Sequence, residues 1–175
     1  MNGWLWAIPI VLMVGGWYLS FSASRLDRLH HRVETSWAAL DAALQRRASV
    51  TLELAISGLL DPAESVLLTA ASHDAREGTT AQRAQVESDL TVALMTLFPD
   101  GEAVADLIDH GLGADIVDEL NEASRRVAFA HALHLDAVES TRIVRAKGVV
   151  RLFRLAGHAP VPRTFDAELF VPTLG

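Results

Sequence analysis

The sequence predicts an all-α protein, with a single amino-terminal transmembrane helix followed by an antiparallel bundle of long helices. Three observations predict it. Residues 4–21, WLWAIPIVLMVGGWYLSF, carry no charge, and the first charged residue is Arg25. From Leu26 to Leu59, apolar or small residues recur in steps of three and four. No segment alternates apolar and polar residues as a half-buried strand does.

Composition narrows the class further. The chain has 175 residues, the size of one ordinary domain. It has no cysteine, which excludes disulfides, thiolate metal sites and a Cys-His nucleophile. Hydrophobic residues make up 50 % and charged residues 21 %, which excludes a disordered chain. The net charge is -7, and Lys147 is the one lysine. A general nucleic-acid binder normally carries a basic face, so no nucleic-acid partner is expected.

The first element is the uncharged run. Eighteen residues at 1.5 Å each give roughly 27 Å of helix, close to the lower limit for a span. Trp4 and Trp6 lie at one end and Trp17 and Tyr18 at the other, as interfacial anchors do. A cleaved signal peptide is the weaker reading, because the run lacks a positive leader. A buried core helix is weaker still. Arg25, Arg28 and Arg32 follow the run, so the positive-inside rule puts the amino terminus outside and the body in the cytoplasm. The expected location is a single-pass cell-membrane protein. Those arginines also suit anionic headgroups, although Asp27 and Glu34 dilute them. Gly16 and Ser20 form a small-xxx-small pair, which predicts weak homo-oligomerisation.

Residues 22–60 predict one long helix with the stripe Leu26, Leu29, Val33, Trp37, Leu40, Leu44, Ala48, Thr51, Ala55 and Leu59. Leu26, Trp37, Ala48 and Leu59 stand eleven apart. An eleven-residue period is close to that of an unperturbed helix, so the helix should be nearly straight. Asp61-Pro62 suits a helix start. A second helix is expected over 62–77, with Val66, Ala70 and His73 on one face. Gly78-Thr79-Thr80 breaks it. A third helix is expected over 81–97, with Val86, Leu90, Ala93, Leu94 and Leu97 inward. Phe98-Pro99-Asp100-Gly101 ends that helix, and a short helix follows within 102–113. The last helix is expected over 114–155, with Ile116, Leu120, Ala123, Val127, Ala130, His134, Val138, Thr141, Arg145 and Leu152 as its stripe. Three prolines after Gly157 predict an extended tail, packed by Phe165 and Phe170. The divisions are therefore an anchor over 1–23, a bundle over 24–156 and a tail over 157–175.

Few residues suggest chemistry. No phosphate loop, dinucleotide fingerprint, nucleophile elbow or H-E-x-x-H zinc motif occurs. His30-His31 and His73-Asp74 are adjacent pairs, which point 100° apart on a helix and do not chelate. His131 and His134 stand three apart and can share a face. They favour hydrogen bonds within the bundle over a metal, because no third ligand is spaced for one. Asp41 lies near the centre of the first stripe, and an acid there needs a partner. Arg47, Arg126, Arg145 and the two histidines are the candidates. Arg46 should be solvated and Arg47 should lie nearer the apolar edge.

Residues 29–47, LHHRVETSWAALDAALQRR, resemble the signature of the LemA family. The resemblance is carried by Val33, by Ser36-Trp37 with Leu40-Asp41, and by Leu44-Gln45-Arg46-Arg47. Phe98-Pro99-Asp100, Glu119-Leu120 and Arg126-Val127 extend it along the chain. Two stretches depart from the family pattern. Ser49-Val50-Thr51-Leu52-Glu53 lacks its proline, and Ala130-His131 with His134-Leu135 lacks its Tyr-Asn. The resemblance implies a membrane-anchored helical bundle with no established catalytic activity. The expected function is therefore a non-enzymatic membrane-anchored scaffold or adaptor for unidentified proteins. It needs no cofactor, and no residue is assigned to catalysis or metal binding. Trp37, Asp41, Arg46, Arg47, Arg126, His131 and His134 are structural motif residues. The alternatives are a metal-dependent enzyme using His131 and His134, or a protein that binds anionic lipid.

Overall fold

The computed structural model describes residues 3–79, 81–99, 101–109, 112–146 and 165; at 3–8, 11, 101, 102, 106 and 112 it describes the backbone alone. Five α-helices are found among the described residues: α1 (Gly3–Ile56), α2 (Pro62–Glu77), α3 (Arg83–Leu97), α4 (Gly101–Ile108) and α5 (Leu112–Arg145). The all-α class agrees with the periodicity.

The transmembrane expectation does not hold. Among the described residues, no helix is long and apolar enough to cross a membrane. α1 carries Pro9 inside it and continues from the uncharged run without a break into Arg25, Asp27 and Arg28. The anchor over 4–21, its orientation, the cell-membrane location and the bilayer partner therefore lose their basis. Trp4 and Trp6, the expected anchors at one end, lie outside the described side chains. Ile10, Leu12, Met13, Val14, Trp17, Tyr18 and Phe21 are each at least half exposed.

The chain divides into two compact units. One comprises Met1–Ser36 with His134–Thr164, and the other Trp37–Leu133 with Phe165–Gly175. In the first, the paired-helix unit, α1 and α5 run antiparallel. Leu26 and Val144 are buried together, with Leu29 against them. Arg32 Nη2 donates to Asp136 Oδ2 at 2.7 Å, and Thr141 Oγ1 donates to the Ala137 carbonyl at 2.8 Å.

The second, the bundle unit, has two apolar clusters. One joins Leu40 and Leu44 of α1 to Val127 and Ala130 of α5, closed by Phe165 and flanked by Trp37. The other joins Ala48, Val50, Leu54 and Ala55 to Leu68 and Ala75 of α2 and Leu90, Ala93 and Leu94 of α3. Phe98, Val104, Leu107, Val117 and Leu120 complete it. A leucine taken fully from water contributes about 1.5–3 kcal/mol, so these clusters dominate the unit's stability. The stripe expected on α1 is largely the observed one. Leu26, Leu40, Leu44, Ala48, Thr51 and Ala55 are buried, while Leu29, Val33, Trp37 and Leu59 are half-buried.

The ends of the elements follow local chemistry. α1 stops at Ile56 rather than 60, because Gly58 adopts φ +80°, the left-handed conformation that ends helices. At α2, Pro62 takes the first position and the Asp61 N–H donates to Glu64 Oε2 at 3.1 Å. Its inward face is Leu68, Ser72 and Ala75, not Val66, Ala70 and His73, which are exposed. Val66 and Leu68 lie about 200° apart on the helix, so the expected face was nearly the opposite one. α3 begins at Arg83, two residues later than expected; Thr80 lies outside the described residues. At the start of α5, the Leu107 carbonyl occupies the space a Cβ at Gly113 would need, so only glycine fits there. α5 is described to Arg145. The expected continuation to Leu155, and the tail apart from Phe165, lie outside the described residues.

Candidate functional site

The most unusual feature of the bundle unit is a pair of charges in its interior. Arg47 follows Leu44 by three positions and precedes Thr51 by four, so the α1 stripe carries it inward. On α3, Glu87 and Arg83 continue the stripe of Leu94 and Leu90 toward the amino terminus. Their side chains are 1 % exposed for Arg47 and 0 % for Glu87. Arg47 Nη2 donates to Glu87 Oε2 at 2.8 Å and to the Glu87 carbonyl at 3.3 Å. Each helix also carries a threonine bonded back one turn. Thr51 Oγ1 donates to the Arg47 carbonyl, and Thr91 Oγ1 to the Glu87 carbonyl, both at 2.9 Å.

Asp41 is paired, as an acid on the stripe requires, but with none of the expected residues. Its carboxylate meets Arg83 of α3, and Arg83 Nη1 also donates to the Ala75 carbonyl at 2.7 Å. Asp41 remains 43 % exposed, whereas Arg83 is nearly buried. Three helices thus meet at Arg83: α1 through Asp41, α2 through Ala75, and α3 itself. Burial pushes the Glu87 carboxyl above the usual glutamate range, and the opposing pull of Arg47 and Arg83 is smaller.

Sequence reasoning missed Arg83 and Glu87. The signal that finds them is the step pattern 83, 87, 90, 94, which is the apolar spacing with charged residues in two places. An Arg and a Glu four apart usually mark a solvated face, which hides this pattern.

Trp37 is half-buried and packs edge-on to Phe165, with ring centres 5.6 Å apart. Phe165 also receives His131, whose Nε2 is 2.8 Å from the Phe165 carbonyl oxygen. The expected packing of the tail by Phe165 is therefore present, while Phe170 lies outside the described residues. His134 is buried and shares a 3.1 Å hydrogen bond between Nδ1 and Ser36 Oγ. The Ser36 hydroxyl already donates to the Val33 carbonyl at 2.9 Å, so the imidazole donates from Nδ1. Both histidines thus hold structural bonds. Among the described residues, no group of three or more His, Asp or Glu side chains is placed to hold a metal ion. The metal-dependent enzyme built on His131 and His134 is overturned by that geometry.

Arg46 and Arg126 lie on the surface, beside a groove between α1 and α5. The groove has about 290 Å³ of space and is lined by Ala39, Ala42, Ala43, Ala123 and Ala130 with the two arginines. Arg46 pairs with Glu119. Arg126 Nε donates to Glu122 Oε1 at 2.8 Å, and Arg125 Nη2 to Glu122 Oε2 at 3.4 Å. These bonds, with Arg126 first, hold the Glu122 carboxyl below the usual glutamate range. The alanines leave room that larger side chains would fill.

The architecture places the chain among all-α proteins. A scan against protein-family models finds no match, and searches of curated proteins and of solved structures find none either. The LemA resemblance therefore does not hold, and the membrane-anchored scaffold it implied falls with it. Its most specific part, Trp37 with Leu40-Asp41 and Leu44-Gln45-Arg46-Arg47, is a short helical pattern. An unrelated amphipathic helix produces the spacing of Trp37, Leu40 and Leu44, because a buried stripe requires apolar residues at those positions.

Proposed function

We propose that the chain acts without catalysis, as a helical module whose bundle unit binds an acidic amphipathic helical segment in the groove between α1 and α5. The observation that carries this reading is the alanine-lined groove with Arg46 and Arg126 beside it. A helix docks where small side chains let it approach closely, and charged neighbours set which helix is accepted. Arg46 and Arg126 are the charged residues that line the groove, and each is paired with a glutamate, Glu119 and Glu122. Guanidinium groups have five donors each, and the pairs with Glu119 and Glu122 leave donors for a ligand carboxylate. The arginine-paired acids support the non-catalytic part of the reading. Asp41 and Glu87 each pair with an arginine of another helix and so join α1 to α3.

The test is fluorescence anisotropy with a labelled amphipathic helical peptide bearing glutamates along one edge. Binding should weaken with salt, and Arg46→Glu with Arg126→Glu should weaken it at least tenfold, about 1.4 kcal/mol. Equal binding of a peptide whose glutamates are replaced by glutamine would sink the proposal. Equal binding by the double variant would move the contact away from the groove.

A further inference from the structure

The Arg47–Glu87 pair is less complete than a buried ion pair requires. A guanidinium can meet both oxygens of a carboxylate in parallel. Here Arg47 Nη2 serves Oε2 and the Glu87 backbone carbonyl, and Glu87 Oε1 and Arg47 Nε are buried with no hydrogen-bond partner among the described residues. An ionised oxygen held dry and without a donor carries the full cost of its lost hydration. The charges acting on Glu87 are Arg47 and Asp41 from α1 and Arg83 from its own helix. Arg83 is committed to Asp41 and to the Ala75 carbonyl. On α2, His73, Asp74, Arg76 and Glu77 are exposed, and the polar group it buries is the Ser72 hydroxyl. On α5, Glu119 is taken by Arg46, and Glu122 by Arg125 and Arg126. No further cation among these groups is directed at Oε1.

We propose that Glu87 is a proton-binding site of the bundle unit: Oε1 binds a solvent proton as α3 packs on α1, and releases it when they part. One O–H bond forms on packing and breaks on separation, with solvent as donor and acceptor. Oε2 accepts from Arg47 while the two helices are packed. The direction of the Glu87 shift agrees with the geometry, since burial outweighs the two arginines. A carboxyl raised in the folded state binds more protons there than in the unfolded chain. Its contribution to stability is therefore complete below the ordinary value of 4.5 and is lost as pH rises through the folded value. Glu122 has the opposite shift, so its contribution is lost as pH falls below 4.5, outside the window of Glu87.

The test uses the full chain. Carbon-13 carboxyl resonances are followed against pH, and urea unfolding is measured between about pH 5 and pH 8 for the protein and for Glu87→Gln. The Glu87 resonance should titrate above the ordinary range. The unfolding constant should rise with pH by up to about tenfold per unit in the window, and Glu87→Gln should remove that slope. Histidine titrations are common to both proteins and cancel in the difference. A Glu87 resonance titrating at or below 4.5, or an unchanged slope in Glu87→Gln, overturns the proposal. If Glu87→Gln does not fold, the carboxyl titration of the unaltered chain decides alone.

Discussion

The paired-helix unit and the bundle unit are built from the same two long helices, yet they use apolar residues differently. In the paired-helix unit, Leu26 and Val144 are buried, but Ile10, Leu12, Met13, Val14, Trp17, Tyr18 and Phe21 stay exposed. In the bundle unit, Leu40, Leu44, Leu54, Leu68, Leu90, Leu94 and Leu120 reach essentially zero exposure. Among the described residues of the paired-helix unit, two helices cover one stripe of each other. Four or five elements enclose a volume, and that enclosure drives even Arg47 and Glu87 out of water. Apolar composition therefore measures what a helix can bury, while the number of neighbours decides what it does bury.

The largest expected effect tests the enclosed charges. Glu87→Leu strands the Arg47 guanidinium, which cannot lose its proton, and should cost about 3–5 kcal/mol by denaturant unfolding. Arg47→Met with Glu87→Leu should recover most of that loss, because a pair of apolar residues needs no hydration. Failure of the double variant to recover would mean that the two side chains contribute more than the hydrogen bonds they make to each other. The next effect compares the cores. Leu90→Ala in the bundle unit should cost about 2–5 kcal/mol, from lost burial and the cavity left behind. Leu26→Ala should fall at or below the lower end of that range, because the smaller cluster around it can collapse. Equal losses at the two sites would break the contrast between the units.

Asp41→Ala should cost about 1–2 kcal/mol, less than for a fully buried pair. Asp41 is partly solvated, and Arg83 keeps its bond to the Ala75 carbonyl. A loss as large as that of Glu87→Leu would make Asp41 an equal member of the interior layer. Arg32→Ala removes a pair whose partners are both more than half exposed, and should cost at most about 1 kcal/mol. Met13→Ala should be smallest, within about 0.5 kcal/mol, since its side chain is 78 % exposed. A clear destabilisation by Met13→Ala would show that the apolar run has a covering neighbour.

Much of the helical layout was legible from local signals. The steps of three and four along α1 located Leu40, Leu44, Ala48, Thr51 and Ala55, and Asp61-Pro62 marked the start of α2 to the residue. The site was less legible. The spacing puts Arg47 near the apolar edge and gives Asp41 need of a partner, but it does not single out Arg83 and Glu87. Their charges match a solvated helix face as well as a buried one, and nothing within α3 separates the two. The inward face of α2 was misjudged for a related reason. Val66, Ala70 and His73 give a face as plausible by spacing as Leu68, Ser72 and Ala75, and only the position of α3 selects between them.

The residue order by itself determined that the chain is helical and where α2 begins, because caps, prolines and three-four spacing act over a few residues. Tertiary structure decided which face of each helix turns inward and which charges pair. Those outcomes depend on groups distant in sequence, such as Arg47 with Glu87 and Asp41 with Arg83, brought together by packing. The same holds for the uncharged run at the start of α1. Its composition suggests a span, but among the described residues no helix is long and apolar enough to cross a membrane.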